Sequence, residues 1–137
     1  MKVVFSMGIV MLIGLPACER FEQPRIDVAR GKSLFAEQCA ACHGADGSGS
    51  GSATFGLAVI PPDLTQFALA NGGVFPRDQI MSVIDGYYRR EHVFNPMPVF
   101  GEEDMGPTVI VGEDDAATPV PANLLALTNY LEIIQQK

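Results

Sequence analysis

The stretch CAACH, Cys39 to His43, brings two thiols and an imidazole together within five residues. Three chemistries use such a set: a redox dithiol, part of a zinc site, and covalent attachment of haem. Each needs different company. A structural zinc site takes four ligands, and beyond Cys39, Cys42 and His43 the chain offers only His92 and Cys18 as comparable N or S donors, with no second CxxC. A thioredoxin-like dithiol stands at the start of a helix that follows a strand. Here the motif closes an amphipathic helix instead, and no parallel-sheet pattern surrounds it. The haem reading asks for less. Residues at i, i+3 and i+4 share one helical face, so Cys39 and Cys42 can each add to a vinyl group at the porphyrin edge while His43 turns its imidazole to the iron.

A haem iron held by one histidine leaves a sixth position, and its occupant decides between electron transfer and ligand chemistry. Met1, Met7 and Met11 fall in an apolar leader, and Met81 falls at a core-like position of a helical pattern. Met97 sits in NPMPVFG, where Pro96 and Pro98 fix two backbone angles and exclude helix, presenting the thioether on a stiff extended loop. It is the expected sixth ligand, with His92 the alternative and Met105, between acids and Gly106-Pro107, a third.

The elements that must position these groups are helical. Asp27 is placed to cap a helix on which Gly31, Leu34, Phe35, Gln38, Cys39 and Cys42 form one stripe. Gly44 to Ala53 holds four glycines and three serines and reads as a flexible loop. It lacks the closing Gly-Lys-Ser/Thr and the GxGxxG spacing of a phosphate cradle. DLTQFALANGG predicts a short helix opened by Asp63 and stopped near Gly72. PRDQIMSVIDGYYRR predicts a second, with Ile80, Val83, Ile84, Tyr87 and Tyr88 at helical spacing, and PANLLALTNYLEIIQQ a last one on Leu124, Leu127, Leu131 and Ile134. No stretch alternates strongly enough to demand a sheet. The long proline- and glycine-studded segment before the last helix contains TVIVG, readable as a short strand but by default a buried loop.

The N-terminus carries Lys2, a thirteen-residue apolar stretch from Val3 to Leu15, and then Pro16-Ala17-Cys18. A membrane span needs about 20 apolar residues, so the proportions are those of a secretory signal. Leu15, Ala17 and Cys18 match the lipobox of bacterial lipoproteins, from which Pro16 departs. The expected organisation is a signal peptide at 1–17, a lipid-anchored tether at 18–26 with the lipid on Cys18, and one domain at 27–137. Anchoring at Cys18 also accounts for the odd cysteine among three. The expected location is the periplasmic side of a bacterial membrane, and Glu19 after the cysteine favours the outer one. The formal net charge is -7, and without the leader 8 basic side chains face 16 acidic ones. That excludes a phosphate-binding face and hence nucleic acid as a partner.

On GKSLFAEQCAACHGADGSG, PPDLT, GYYRREHVFNPMPVFG and the terminal LLALTNYLEII, in that order, the chain resembles the class I cytochrome c family from about Asp27 to Gln136. The resemblance implies an all-α cytochrome c fold, about four helices and long loops wrapped around one covalently bound haem c. It implies thioethers at Cys39 and Cys42, His43 and Met97 as axial ligands, and a Pro62 carbonyl that accepts a hydrogen bond from the second ring nitrogen of His43. It pairs Gly31 and Phe35 of the first helix with Tyr130 of the last. Gly101 to Pro121 departs from short members of the family, carrying Glu102, Glu103, Asp104, Glu113, Asp114 and Asp115 without a basic residue. This is a solvated loop or a docking patch for a basic partner. Arg89 and Arg90 are placed either to meet haem propionates or to face water. The implied function is one-electron transfer between membrane-associated redox proteins, with no small-molecule substrate. The alternatives are a haem subunit of a membrane oxidoreductase and a haem enzyme or gas sensor with a labile sixth position.

Overall fold

The computed structural model describes residues 24–87, 97–112 and 117–136. Helix α1, Val28–Gln38, starts where the sequence places it: the Asp27 carboxylate accepts from the Arg30 amide at 2.8 Å. Its buried face is Gly31, Leu34 and Phe35. The single stripe expected to run on to Cys42 is interrupted. The Cys39 amide still donates to the Phe35 carbonyl at 2.9 Å, but Cys39 itself (φ -116, ψ -36) bends the chain and a separate turn, α2, Ala40–His43, follows.

A 3-10 turn, Leu64–Gln66, runs directly into α3, Phe67–Ala70, opened by Asp63 as expected. Helix α4, Arg77–Asp85, is shorter than its hydrophobic pattern suggested. Gly86 adopts the left-handed conformation at φ 99 and its amide returns to the Ser82 carbonyl, the usual way glycine closes a helix. Tyr87 therefore lies outside the helix and is exposed, while Tyr88 lies outside the described residues.

The segment read by default as a buried loop contains a hairpin. Strand β1, Thr108–Val111, pairs antiparallel with β2, Thr118–Pro121, placing Val109 opposite Val120. Those two turn toward the core, Val120 buried and Val109 partly so, while Ile110 and Val111 are exposed. A two-stranded ribbon buries only one of its faces, so the apolar content of TVIVG does not make it interior. Phe100 and Met105 are the parts of this segment that do enter the core.

Helix α5, Ala122–Ile133, is the centre of the molecule. It is buried on more than the expected Leu124, Leu127 and Leu131 stripe, because α1 covers one side and α4 another. The α1 contact is very close: a Cβ built on Gly31 would stand 2.0 Å from the Ala126 carbonyl oxygen. Phe35 and Tyr130 pack across the same crossing with ring centroids 5.3 Å apart. Arg77 ties α4 to α5 through Glu132 and Asn129. At the far end Gln135 donates to the Leu64 carbonyl at 2.8 Å and accepts from the Ala68 amide at 2.9 Å, fixing α5 to the segment after Pro62. The described residues are thus mostly helical, in five helices, with a two-stranded sheet that the sequence did not demand.

Candidate haem site

The bend at Cys39 and the turn of α2 carry the CAACH groups to the mouth of a cavity. An outer lobe of about 240 Å³ is walled by both cysteines, by Leu57, Val59 and Ile60, and by Phe100. An inner lobe of about 80 Å³ reaches Phe35, Leu64, Phe67 and Ile84 and ends on Leu127 and Leu131 of α5. Cys39, His43, Pro62, Val83 and Met97 line both. Apart from His43, every side chain around the inner lobe is apolar or a thiol.

His43 is 9% exposed, and its Nδ1 stands 3.4 Å from the Pro62 carbonyl oxygen. A carbonyl only accepts, so Nδ1 carries the proton and Nε2 keeps its lone pair. Burial holds the imidazole below its usual pKa of 6.5, against a smaller opposing pull from the Pro62 carbonyl. The ring is therefore neutral with one nitrogen ready to ligate, as metal binding requires. Cys39 and Cys42 are free thiols. Burial pushes Cys39 up to about 11, and Cys42 beside it adds to the rise. A dithiol oxidoreductase needs the opposite, a thiol whose pKa is lowered to make thiolate. Among the described residues no three His, Cys, Asp or Glu side chains cluster to hold a metal ion.

The donor set fits haem: two adjacent thiols at the cavity mouth, a neutral imidazole, a thioether, and apolar walls. Met97 is brought to the same lobes as His43. Met105 is not; it is 8% exposed in the core, away from these lobes. Met81 lines a depression of about 810 Å³ between α4 and the hairpin, which has no residue in common with the cavity and contains neither cysteine nor histidine. Cys18, Arg89, Arg90 and His92 lie outside the described residues.

The comparison with protein families decides the class. The Cytochrome c family model matches residues 28–132. The chain belongs to the cytochrome c family. Members of this family are haem-bearing electron carriers, and the motif pair Cys39 and Cys42 stands where the family's haem-binding pair is expected. Neither the curated proteins nor the solved structures gave a significant match.

Several cavity residues were not singled out from the sequence. Phe67 and Phe100 close the walls, and Val59 and Ile60 belong to an uncharged run, GSATFGLAVIPP from Gly51 to Pro62. That run, set between the proximal motif and Pro62, was a usable signal for a haem-covering loop. The glycine-rich loop also has a role beyond flexibility. The Gly51 amide donates to the Cys42 carbonyl at 3.1 Å, and the Gly47 carbonyl accepts from the Leu64 amide at 2.8 Å, so the loop joins the CAACH turn to the segment after Pro62.

Proposed function

We propose that this chain is a carrier of single electrons outside the cytoplasm, loaded with one haem c and anchored to a membrane through Cys18. Cys39 and Cys42 would hold the group by thioethers, and His43 Nε2 and Met97 Sδ would take the two axial positions of its iron. When bound, haem supplies reversible one-electron ferrous–ferric chemistry. The observation that carries the reading is that His43 and Met97 line the same two lobes, one ligand on each of two separate chain segments.

The protein's own contribution is to orient and to exclude. The Pro62 carbonyl fixes the tautomer and plane of His43. Phe35, Ile84, Leu127 and Leu131 keep water from the inner lobe, which raises the potential by disfavouring the more charged oxidised state. A filled sixth position leaves no place for a substrate. Redox partners would approach at the Cys42 side, where the run from Gly51 to Pro62 carries no charged residue.

The visible spectrum of the purified protein tests this. The expected outcome is a covalent-haem absorption that survives acid-acetone extraction, plus the red-region band of methionine-ligated ferric haem. Met97→Ala keeps the first and loses the second, lowers the reduction potential, and lets the reduced protein bind carbon monoxide. Loss of nothing in Met97→Ala assigns the sixth position to another residue.

A further inference from the structure

Gly49 occupies an unusual place between the two groups that define the His43 ring. Its amide donates to the His43 carbonyl at 2.8 Å. On its other side lies the Pro61-Pro62 peptide: a Cβ built on Gly49 would stand 2.6 Å from the Pro61 carbonyl oxygen and 3.4 Å from that of Pro62. The Pro62 oxygen is the acceptor for His43 Nδ1, at 3.4 Å, already the long end of a hydrogen bond. Any side chain at 49 must push this peptide away, and proline rings on both residues leave the peptide little freedom to adjust. Gly49 itself has φ +86.

We propose that Gly49 is a positioning residue for the iron ligand: the lack of a side chain there lets the Pro62 carbonyl reach His43 Nδ1, and so sets how much electron density the imidazole gives the metal. This rests on His43 being the proximal ligand. A hydrogen bond accepted from Nδ1–H makes the ring more basic and favours the ferric state. Lengthening it makes the ring a poorer donor and raises the potential.

The molecule supplies its own control. Gly73, which lines neither lobe of the cavity, has φ +90, close to that of Gly49, but nothing stands within 4 Å of a Cβ built there. Gly49→Ala and Gly73→Ala therefore share the strain of alanine at positive φ, and only the first displaces the Pro62 carbonyl. In redox titrations of the holoproteins, Gly49→Ala moves the ferric–ferrous equilibrium about tenfold toward ferrous, which is about 59 mV for one electron. Gly73→Ala leaves the potential at the wild-type value. By proton nuclear magnetic resonance of the reduced forms, the His43 Nδ1–H of Gly49→Ala shifts upfield and exchanges faster with water. Should Gly49→Ala yield no holoprotein, Gly49→Ala with Pro61→Gly frees the peptide to step aside, and its potential still lies above that of Pro61→Gly alone. Equal potentials in Gly49→Ala and wild type, or equal shifts in Gly49→Ala and Gly73→Ala, overturn the inference. A wild type without covalent haem fails the functional reading instead, before any variant is compared.

Discussion

Asp63 accepts from the Thr65 amide at 2.9 Å and from its hydroxyl at 2.6 Å, one residue after the carbonyl that faces His43. These bonds, the hydroxyl first, hold the Asp63 carboxyl below its ordinary 3.8. A carboxyl depressed by folding contributes stability that is fully present above 3.8 and is lost as pH falls through the folded value. Asp63→Ala is therefore expected to lower the thermal midpoint at neutral pH, with the gap to wild type closing as the solution is acidified below 3.8. Parallel melts across that range check it, and a gap that stays constant would show that the carboxylate charge is irrelevant. Single residues of this kind were the most legible part of the sequence. Asp27, Asp63, Cys39, Cys42 and His43 declare themselves through neighbours within four positions, because caps and the CxxCH turn are local structures. Gly49 did not, since its importance comes from Pro61 and Pro62, twelve and thirteen residues on.

At the scale of elements, the crossing of α1 and α5 is set by one missing methyl group. An alanine at position 31 would place its Cβ 2.0 Å from the Ala126 oxygen and 2.8 Å from the Tyr130 Cβ, so the two helices must separate. Overpacking of this kind costs about 1–3 kcal/mol. For a domain of a little over 100 residues each 1 kcal/mol moves the midpoint by about 4 °C. Gly31→Ala should melt several degrees lower and loosen the Phe35 and Tyr130 contact; differential scanning calorimetry and near-ultraviolet dichroism measure both. A variant as stable as wild type would mean that α5 shifts without cost. Helix existence was readable from hydrophobic spacing, and α1, α4 and α5 lie where that spacing put them. What spacing could not show is where a pattern stops being helix. Gly86 ends α4 before Tyr87, and Cys39 bends the chain although its amide bond to Phe35 persists. The hairpin was obscured for a different reason. The pairing of Val109 with Val120 joins two short strands, one of them TPVP, whose prolines weaken any strand signal.

For the whole molecule, charge and covalent reach bear on how the cavity meets a partner. The chain is strongly acidic at -7, yet the rim beside Cys42 is uncharged from Gly51 to Pro62. A contact made on that rim would be short-range and apolar, so long-range steering would come from the net charge and weaken with salt. The proposed lipid at Cys18 reduces the need for steering. Asp27 lies nine residue steps beyond Cys18, and an extended chain spans at most about 3.6 Å per step, so the Asp27 cap could stand no more than about 32 Å from its anchor. Such a tether would confine encounters to a layer next to the membrane surface. Among the described residues no helix is long and apolar enough to cross a membrane. Cys18→Ser should then move the protein from the membrane fraction to the soluble periplasmic fraction, with its visible spectrum and potential unchanged because the cavity is untouched. Fractionation with intact-mass analysis of the N-terminus reads the result. A Cys18→Ser protein that still sediments with membranes, or a wild type whose mature N-terminus carries no acyl chains, would place the carrier free in its compartment and leave steering by the net charge as its means of finding a partner.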